Sequence, residues 1–469
     1  MDIQTQGSEA TTGQRPGEFC GIVALAERVP VGYRLIQSLR IIQHRGQESA
    51  GISLILNGKA KTIKGMGLVN EVFSGIKLER DDGLGIGHIR YSTSGSSVIE
   101  NAQPLYANIG KYEISIGHNG EIVNAPEIRE KLESKGYSFS TNSDTEVILK
   151  LLSIELSRSS DPIKAISASF KKLIGAYSLD IMINGRVFVA RDPNGIRPLV
   201  IGTTEYGYGG ASESVVFDQL GGKMLRDVLP GEIVEITKGG FKSYRFADEA
   251  KDAHCMFEYV YFARPDSIMD GRNVFAVRYE LGKMLARESN VEADYVIPVP
   301  DSGRSHAMGY AEESGIPFTE GLIKNRYIDR TFIMPEQSGR EHEIYIKLNP
   351  VRELIEGKRV VLVDDSIIRG NTMRRIVKLL KDNGAKEVHV RVASPPVRYP
   401  CYLGIDMKTK AQFIASNRTE EEVCESIGAD SLRYLSLDGL VKAIGLGKGK
   451  LCLGCLTGRY PVRIHGDHF

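Results

Sequence analysis

Residues 360–372, VVLVDDSIIRGNT, run four apolar residues into two adjacent carboxylates and a short polar loop with one glycine. The apolar run reads as a buried strand. In the segment MRRIVKLLKDNG behind it, Met373, Ile376, Val377 and Leu380 recur at helical spacing on one face. Gly384 stops that helix in the C′ position. EVHVRVAS follows as a second strand, and ADYVIPVP (293–300) precedes with its own Gly-containing loop and helix. This alternation commits the chain after about residue 255 to βαβ units and a parallel sheet, with ligands at the carboxyl ends of the strands.

Paired acids at a strand end are most often a solvated turn. Here Ser366, Arg369, Gly370, Asn371 and Thr372 add small polar side chains and backbone N–H groups at a helix N-terminus, which suits an anion. Asp364 and Asp365 repel phosphate but accept hydrogen bonds from a sugar diol and offer oxygens to Mg²⁺. A phosphate beside a diol describes a ribose 5-phosphate. The usual nucleotide loops are absent: no Gly-Lys pair is followed by Ser or Thr, and no G-x-G-x-x-G follows a strand.

The region from Cys20 to about residue 250 has a different texture. Short β-like runs (FCGIVAL, GISLILNGKA, GIGHIRYSTSG, EISIGHNGEI, AYSLDIMINGRVFVARDPNG) are interrupted by helical patterns such as VGYRLIQSLRIIQH and DTEVILKLLSIEL. Grouped strands and helices of this kind predict a layered α+β domain.

Composition sets limits on partners and compartment. With 60 basic and 59 acidic residues, the net charge of +1 gives no reason to expect nucleic acid or an anionic membrane as a partner. No apolar run approaches the ~18–20 residues of a membrane span. MDIQTQGSEATTGQRPGEF, at the start, has no apolar core of a secretory signal. A cytoplasmic protein is expected. Six cysteines in 469 residues are too few for a disulfide scaffold and fit a reducing compartment.

The stretch VVLVDDSIIRGNT resembles the phosphoribosylpyrophosphate (PRPP) signature of type I phosphoribosyltransferases. The resemblance implies that Asp364 and Asp365 take the ribose hydroxyls and Mg²⁺. Ser366, Arg369, Gly370, Asn371 and Thr372 then take the 5′-phosphate. PVPDSG (298–303) is similar to the family's pyrophosphate loop, with Ser302 near the metal, and Lys347 and KNRYIDRTF to its closing flap. In the first half, Cys20 in CGIVAL followed in order by GHIRYST, NAQP, GHNGEI and NSDTE resembles a class II glutamine amidotransferase domain. The fold implied is an N-terminal-nucleophile hydrolase, an αββα sandwich.

Cys20 is then the nucleophile, Arg90 and Asp144 bind the glutamine carboxylate and ammonium, and Asn119 with the Gly120 N–H forms the oxyanion hole. Such a cysteine works from its free α-amine, with a pKa near ~8, so residues 1–19 are expected to be a propeptide. A tail left in place would block the amine. RDPNGIRPL (191–199) and ASES (211–214) resemble fold and interface elements of the same half.

Cys452 and Cys455 form a C-x-x-C pair in the Gly-rich tail, and Cys255 and Cys401 lie in Pro- and aromatic-rich contexts. Four thiolates suit either Zn²⁺ or a [4Fe–4S] cluster, and spacing does not separate them. All three contexts resemble the iron–sulfur branch of the glutamine PRPP amidotransferases, which implies a structural [4Fe–4S] cluster pinning the tail. Cys424, on an amphipathic pattern, reads as core.

The resemblance covers Cys20 to about Tyr460. It divides the chain into a propeptide (1–19), an amidotransferase domain (20–250), a phosphoribosyltransferase domain (255–445) and a C-terminal extension (446–469). It implies glutamine hydrolysis at Cys20 and passage of ammonia to C1 of PRPP, at the opening of de novo purine synthesis. Purine nucleotides as feedback inhibitors and a homotetramer are implied as well. Departures from the family pattern are Asn371 in place of a second threonine, Asp329 where glycine is common, and REHEIYIKLNP in the later flap. A PRPP-sensing regulator without catalysis is the alternative, and it would ordinarily carry a DNA-binding domain with a basic patch, neither of which is seen.

Overall fold

The computed structural model describes residues 20–91, 97–325 and 348–464. Two antiparallel sheets form the first domain. One runs in the order Lys223–Asp227, Val200–Thr203, Gly207–Ala211, Gly21–Glu27, Leu84–Arg90, Ser49–Leu56 and Lys59–Met66. The other runs Gly240–Arg245, Glu232–Thr237, Arg186–Arg191, Gly175–Ile183, Tyr112–Ile122 and Leu105–Ile109.

Residue alternation explains the layering. Along Gly21–Glu27, Ile22, Ala24 and Ala26 join the apolar layer between the sheets, whereas Val23 and Leu25 pack with Leu35 and Leu39 of the helix Gly32–Ile41. On the far side, Ile114, Ile116 and Ile181 meet Val147, Ile148 and Leu151 of the helix Asp144–Arg158. A strand buried on both faces carries apolar residues at every position, which is why these runs do not alternate with polar ones. The result is helix, sheet, sheet, helix.

The second domain is built on four parallel strands in the order Tyr295–Pro298, Arg359–Asp364, Glu387–Val392 and Ser431–Tyr434. Val361 and Val363 face the layer holding Leu281 and Tyr310, from the helices Val274–Glu288 and Arg304–Ser314. Val360 and Leu362 face the helix Asn371–Asp382, whose Met373, Ile376, Val377 and Leu380 are all buried. That helix ends at Asn383, with Gly384 at φ +87° just beyond, where the sequence places the stop.

The two domains share a core and a buried ion network. Ala176 and Ile196 of the first domain lie in the same apolar cluster as Val260 and Leu403 of the second. Arg45 reaches Glu213 and, across the boundary, Glu258, each at 2.7 Å, with all three side chains buried. Glu213, in ASES, also accepts from Ser267 Oγ at 2.6 Å. Removing one member of such a network leaves an uncompensated buried charge, at a cost of about 3–5 kcal/mol.

The tail does not hang loose. Leu451–Cys452 pairs in parallel with His254–Cys255, and the N–H groups of Arg398 and Tyr399 both donate to the Cys455 carbonyl at 3.0 Å. Tyr460 Oη donates to the Pro400 carbonyl at 2.5 Å. Among the described residues no helix is long and apolar enough to cross a membrane.

Two candidate active sites and a cysteine cluster

Cys20 stands immediately before the strand Gly21–Glu27, and because Gly21 pairs with Ile89, Arg90 lies across from it. Its thiol is buried and donates to the Tyr91 carbonyl at 3.8 Å, while its own carbonyl accepts from Arg45 Nε at 3.3 Å. Burial pushes the thiol pKa up to about 11; Asp144 and Glu48 add to the effect and Arg90 opposes it. Arg90, also buried, is ion-paired with Glu48.

Asn119 and Gly120 come from the strand Tyr112–Ile122 of the other sheet. Gly120 has φ +149°, and a Cβ there would overlap the Ala176 carbonyl oxygen, so only glycine allows this approach. Asn119 is fully buried, and neither of its amide atoms has a hydrogen-bond partner among the described residues. A buried orphan amide costs about 1–3 kcal/mol, which marks it as built for something that binds there. Asp144 opens the helix Asp144–Arg158, whose Ser143 cap accepts from Thr145 N at 3.2 Å. Its Oδ2 accepts from Ile122 N at 3.0 Å and its Oδ1 lies 3.5 Å from His118 Nδ1. Burial raises its pKa, but His118 and the N–H donors outweigh burial and hold the carboxyl below the usual range.

The second site gathers at the ends of two adjacent parallel strands. Pro298 pairs with Val363, and Val299 N donates to the Val363 carbonyl at 2.8 Å, so PVPDSG lies beside VDDS. Asp364 and Asp365 are both buried, Asp365 N donates to Asp364 Oδ1 at 3.0 Å, and Ser366 Oγ donates to Asp365 Oδ2 at 2.6 Å. Gly370 caps the helix Asn371–Asp382 at φ +78°, in the left-handed region, and a Cβ there would overlap Ile414 Cδ1. Thr372 follows Asn371 in the first helical turn, and Arg369 precedes the cap. Lys347 and Asp329 lie outside the described residues, as do 1–19 and most of the expected flap.

Two buried acids and the Ser302 loop make a hard oxygen set that fits Mg²⁺. The four cysteines assigned to a cluster also converge. Cys255 and Cys452 face each other in the two-stranded pairing, Leu403 N donates to Cys401 Sγ at 3.4 Å, and the Cys455 thiol is perturbed by the other three. Burial pushes Cys401 up to about 11 and raises Cys255 and Cys452 too, while the buried Arg197 guanidinium opposes it at all three. Among the described residues no group of three or more His, Cys, Asp or Glu is placed to hold a metal ion as the side chains stand. Cys424 is only half-buried; its thiol donates to the Ala429 carbonyl at 3.3 Å on the edge of the second core.

Some residues of these sites escape sequence reading. Glu48 holds Arg90 and His118 holds Asp144. Arg45 holds the Cys20 carbonyl, yet its carboxylate partners are 168 and 213 positions away, beyond any local pattern. Arg278 is buried near Asp365 and anchored on the Tyr259 and Ala263 carbonyls at 2.7 and 2.8 Å; burial brings it down to about 10. Its place on an otherwise apolar helix face was the available signal.

The glutamine amidotransferase domain family matches residues 88–219, and the phosphoribosyl transferase domain family matches residues 266–394. The amidophosphoribosyltransferase of Methanothermobacter thermautotrophicus is 49% identical over 457 residues, covering 96% of this chain and 95% of that one. The chain belongs to the amidophosphoribosyltransferase family. The Bacillus subtilis member is 46% identical, covering 96% and 95%. A solved structure of glutamine PRPP amidotransferase from B. subtilis complexed with ADP and GMP superposes with a TM-score of 0.89 at 45% identity, over 96% of this chain and 98% of that one. The family joins a glutamine amidotransferase to a pentosyltransferase and acts at the first step of purine biosynthesis. A regulator without catalysis is not favoured, since the relatives are enzymes and the amidotransferase half is present.

Proposed function

We propose that this chain hydrolyses glutamine at Cys20 and delivers the ammonia inside the protein to C1 of PRPP, giving 5-phosphoribosylamine, glutamate and pyrophosphate. The observation that carries the reading is a buried Cys20 set by Arg90 and Asp144, with an orphan Asn119 amide on the facing sheet, in a domain that shares its core with the one carrying the paired-acid loop.

A thiol held at about 11 is protonated at neutral pH and needs a base. The α-amine freed by cleavage between Phe19 and Cys20 supplies it. The thiolate attacks the carboxamide carbon, and the Asn119 amide and Gly120 N–H receive the developing oxyanion. Its collapse breaks the C–N bond, the Cys20 α-ammonium returning the thiol proton to the departing ammonia; water then hydrolyses the thioester to glutamate. The α-ammonium of glutamine binds Asp144 and its α-carboxylate binds Arg90, whose guanidinium is held in place by Glu48. In the second site Ser366 and 369–372 hold the 5′-phosphate, and Asp364 and Asp365 orient the ribose hydroxyls. Mg²⁺ held by Asp364, Asp365 and the Ser302 loop would neutralise the leaving pyrophosphate.

Cys255, Cys401, Cys452 and Cys455 would hold a [4Fe–4S] cluster as a structural group. The four thiols perturb one another beside the buried Arg197 guanidinium, and the likeness of their sequence contexts to the iron–sulfur branch favours a cluster over Zn²⁺. Feedback by purine nucleotides, a homotetramer and a cytoplasmic location complete the reading.

Protein purified without oxygen, and shown by intact mass to begin at Cys20, should release glutamate slowly from glutamine and much faster with Mg-PRPP. No glutaminase in either condition sinks the amidotransferase claim. Iron and acid-labile sulfide assays decide the cluster, and stoichiometric zinc would replace it.

A further inference from the structure

The segment 401–415 belongs to the second domain, yet it touches both candidate sites. Near its start, Gly404 lies against the backbone of Gly120: a Cβ built on Gly404 would sit 3.0 Å from the Gly120 carbonyl carbon and 3.1 Å from its Cα. With φ +104°, Gly404 adopts a conformation that allows this approach only because it lacks a side chain. Four residues on, Lys408 Nζ donates to Glu121 Oε1 at 2.8 Å, across the domain boundary and next in sequence to Gly120. Toward its end, Ile414 N donates to the Ile368 carbonyl at 2.8 Å, inside the loop between Asp365 and Gly370. The Ile414 side chain fills the space a Cβ of Gly370 would need. Between these ends, Leu403, Ile405, Met407 and Phe413 are buried in the shared core.

From these contacts we propose that 401–415 is a strap that positions the Gly120 N–H from the opposite domain, with Lys408 and Glu121 as positioning residues. The inference rests on the assignment of Gly120 to the oxyanion hole and of 366–372 to the phosphate. The physical argument is one of rigidity. Gly120 is paired with Tyr177 inside the strand Tyr112–Ile122, but with a positive φ and no side chain to fix its peptide plane, the direction of its N–H also depends on what packs against it. Gly404 closes one side, and the Lys408 ammonium holds the next residue's carboxylate, whose pKa burial raises and Lys408 lowers. The other end of the strap is hydrogen-bonded to the phosphate loop, so seating a phosphate there shifts the same segment that backs Gly120. An oxyanion donor misplaced by a fraction of an ångström loses much of its effect on the transition state while substrate binding barely changes.

The test is Lys408→Met in the full-length protein, with Lys408→Arg and the charge exchange Glu121→Lys/Lys408→Glu beside it. Three rates are compared: glutamate release without PRPP, glutamate release with Mg-PRPP, and phosphoribosylamine formation from ammonium salt. Lys408 is part-exposed, so the variant should fold. In Lys408→Met the PRPP-stimulated glutaminase kcat should fall about tenfold with glutamine KM within twofold. The ammonia-driven rate should stay that of the parent. Lys408→Arg and the charge exchange should recover most of the loss. A stimulated kcat equal to the parent's overturns the strap, and so does an equal loss of the ammonia-driven rate, which would mean general damage. A parent that makes phosphoribosylamine from ammonia but never releases glutamate overturns the assignment of Gly120, and the strap with it.

Discussion

The two sites are prepared in opposite ways. Around Cys20 the polar groups already have partners: Arg90 is ion-paired with Glu48, Asp144 lies 3.5 Å from His118 Nδ1, and the thiol is buried and pushed up to about 11. Around Asp364 and Asp365 two like charges stand in succession, steadied by Ser366 and the Asp365 N–H, with helix N–H groups beside them. In the proposed function the first arrangement receives its substrate among groups already partnered, and the second is completed by a cation and a phosphate. The difference suits a coupled enzyme, since glutamine need not be hydrolysed before PRPP is in place.

The most severe way to break this contrast is to remove the nucleophile alone. Cys20→Ser should cut glutamine-dependent synthesis by roughly 10³-fold or more while leaving the ammonia-driven rate intact, as both assays on one preparation would reveal. Asp365→Asn should lower both rates together, by about 10²-fold at fixed Mg-PRPP, because it strikes the step the two routes share. If only the glutamine route fell, the separation of roles would be wrong.

Acid should distinguish the halves more gently. His88, on the strand Leu84–Arg90 beside Arg90, is fully buried, and burial lowers its pKa from 6.5 to about 3. The unfolded chain therefore binds a proton there that the folded one refuses. The stability this neutral histidine contributes is complete above pH 6.5 and is lost as the pH falls toward 3. Between pH 6.5 and 5 the loss is about 1.6 kcal/mol, the slope reaching its full ~1.4 kcal/mol per unit only below the first half unit. Urea titrations at the two pH values should show a shallower pH slope for His88→Gln than for the parent, whatever its absolute stability. The smallest effect is expected at Asn371, exposed in the first turn of the phosphate helix. Asn371→Thr should change the PRPP KM by no more than about threefold and leave the denaturation midpoint unmoved. A larger change would mean that the Asn371 side-chain amide, and not only its backbone N–H at the helix start, holds the phosphate.

Much of the second domain was readable because its signals are local. Strand, acid pair, capping glycine and helix face follow one another within 25 residues, and each has its own periodicity or turn chemistry. The order of motifs around Cys20, Asn119, Gly120 and Asp144 was likewise in the chain, as was the tail's need for an anchor. Legible too were the cysteines themselves, although not their meeting: Cys255 and Cys452 pair across almost two hundred residues through backbone bonds no pattern announces.

The sequence by itself determined which side chains could do chemistry and on which elements they stand, because helix and strand periods and turn residues act over a few positions. Only the tertiary structure decided how those groups are held. Glu48 on Arg90, Arg45 on the Cys20 carbonyl, Arg278 near Asp365 and Gly404 on Gly120 all join residues distant in the chain. A buried charge needs a partner and a bare glycine needs a neighbour, but where each is found depends on how the layers close.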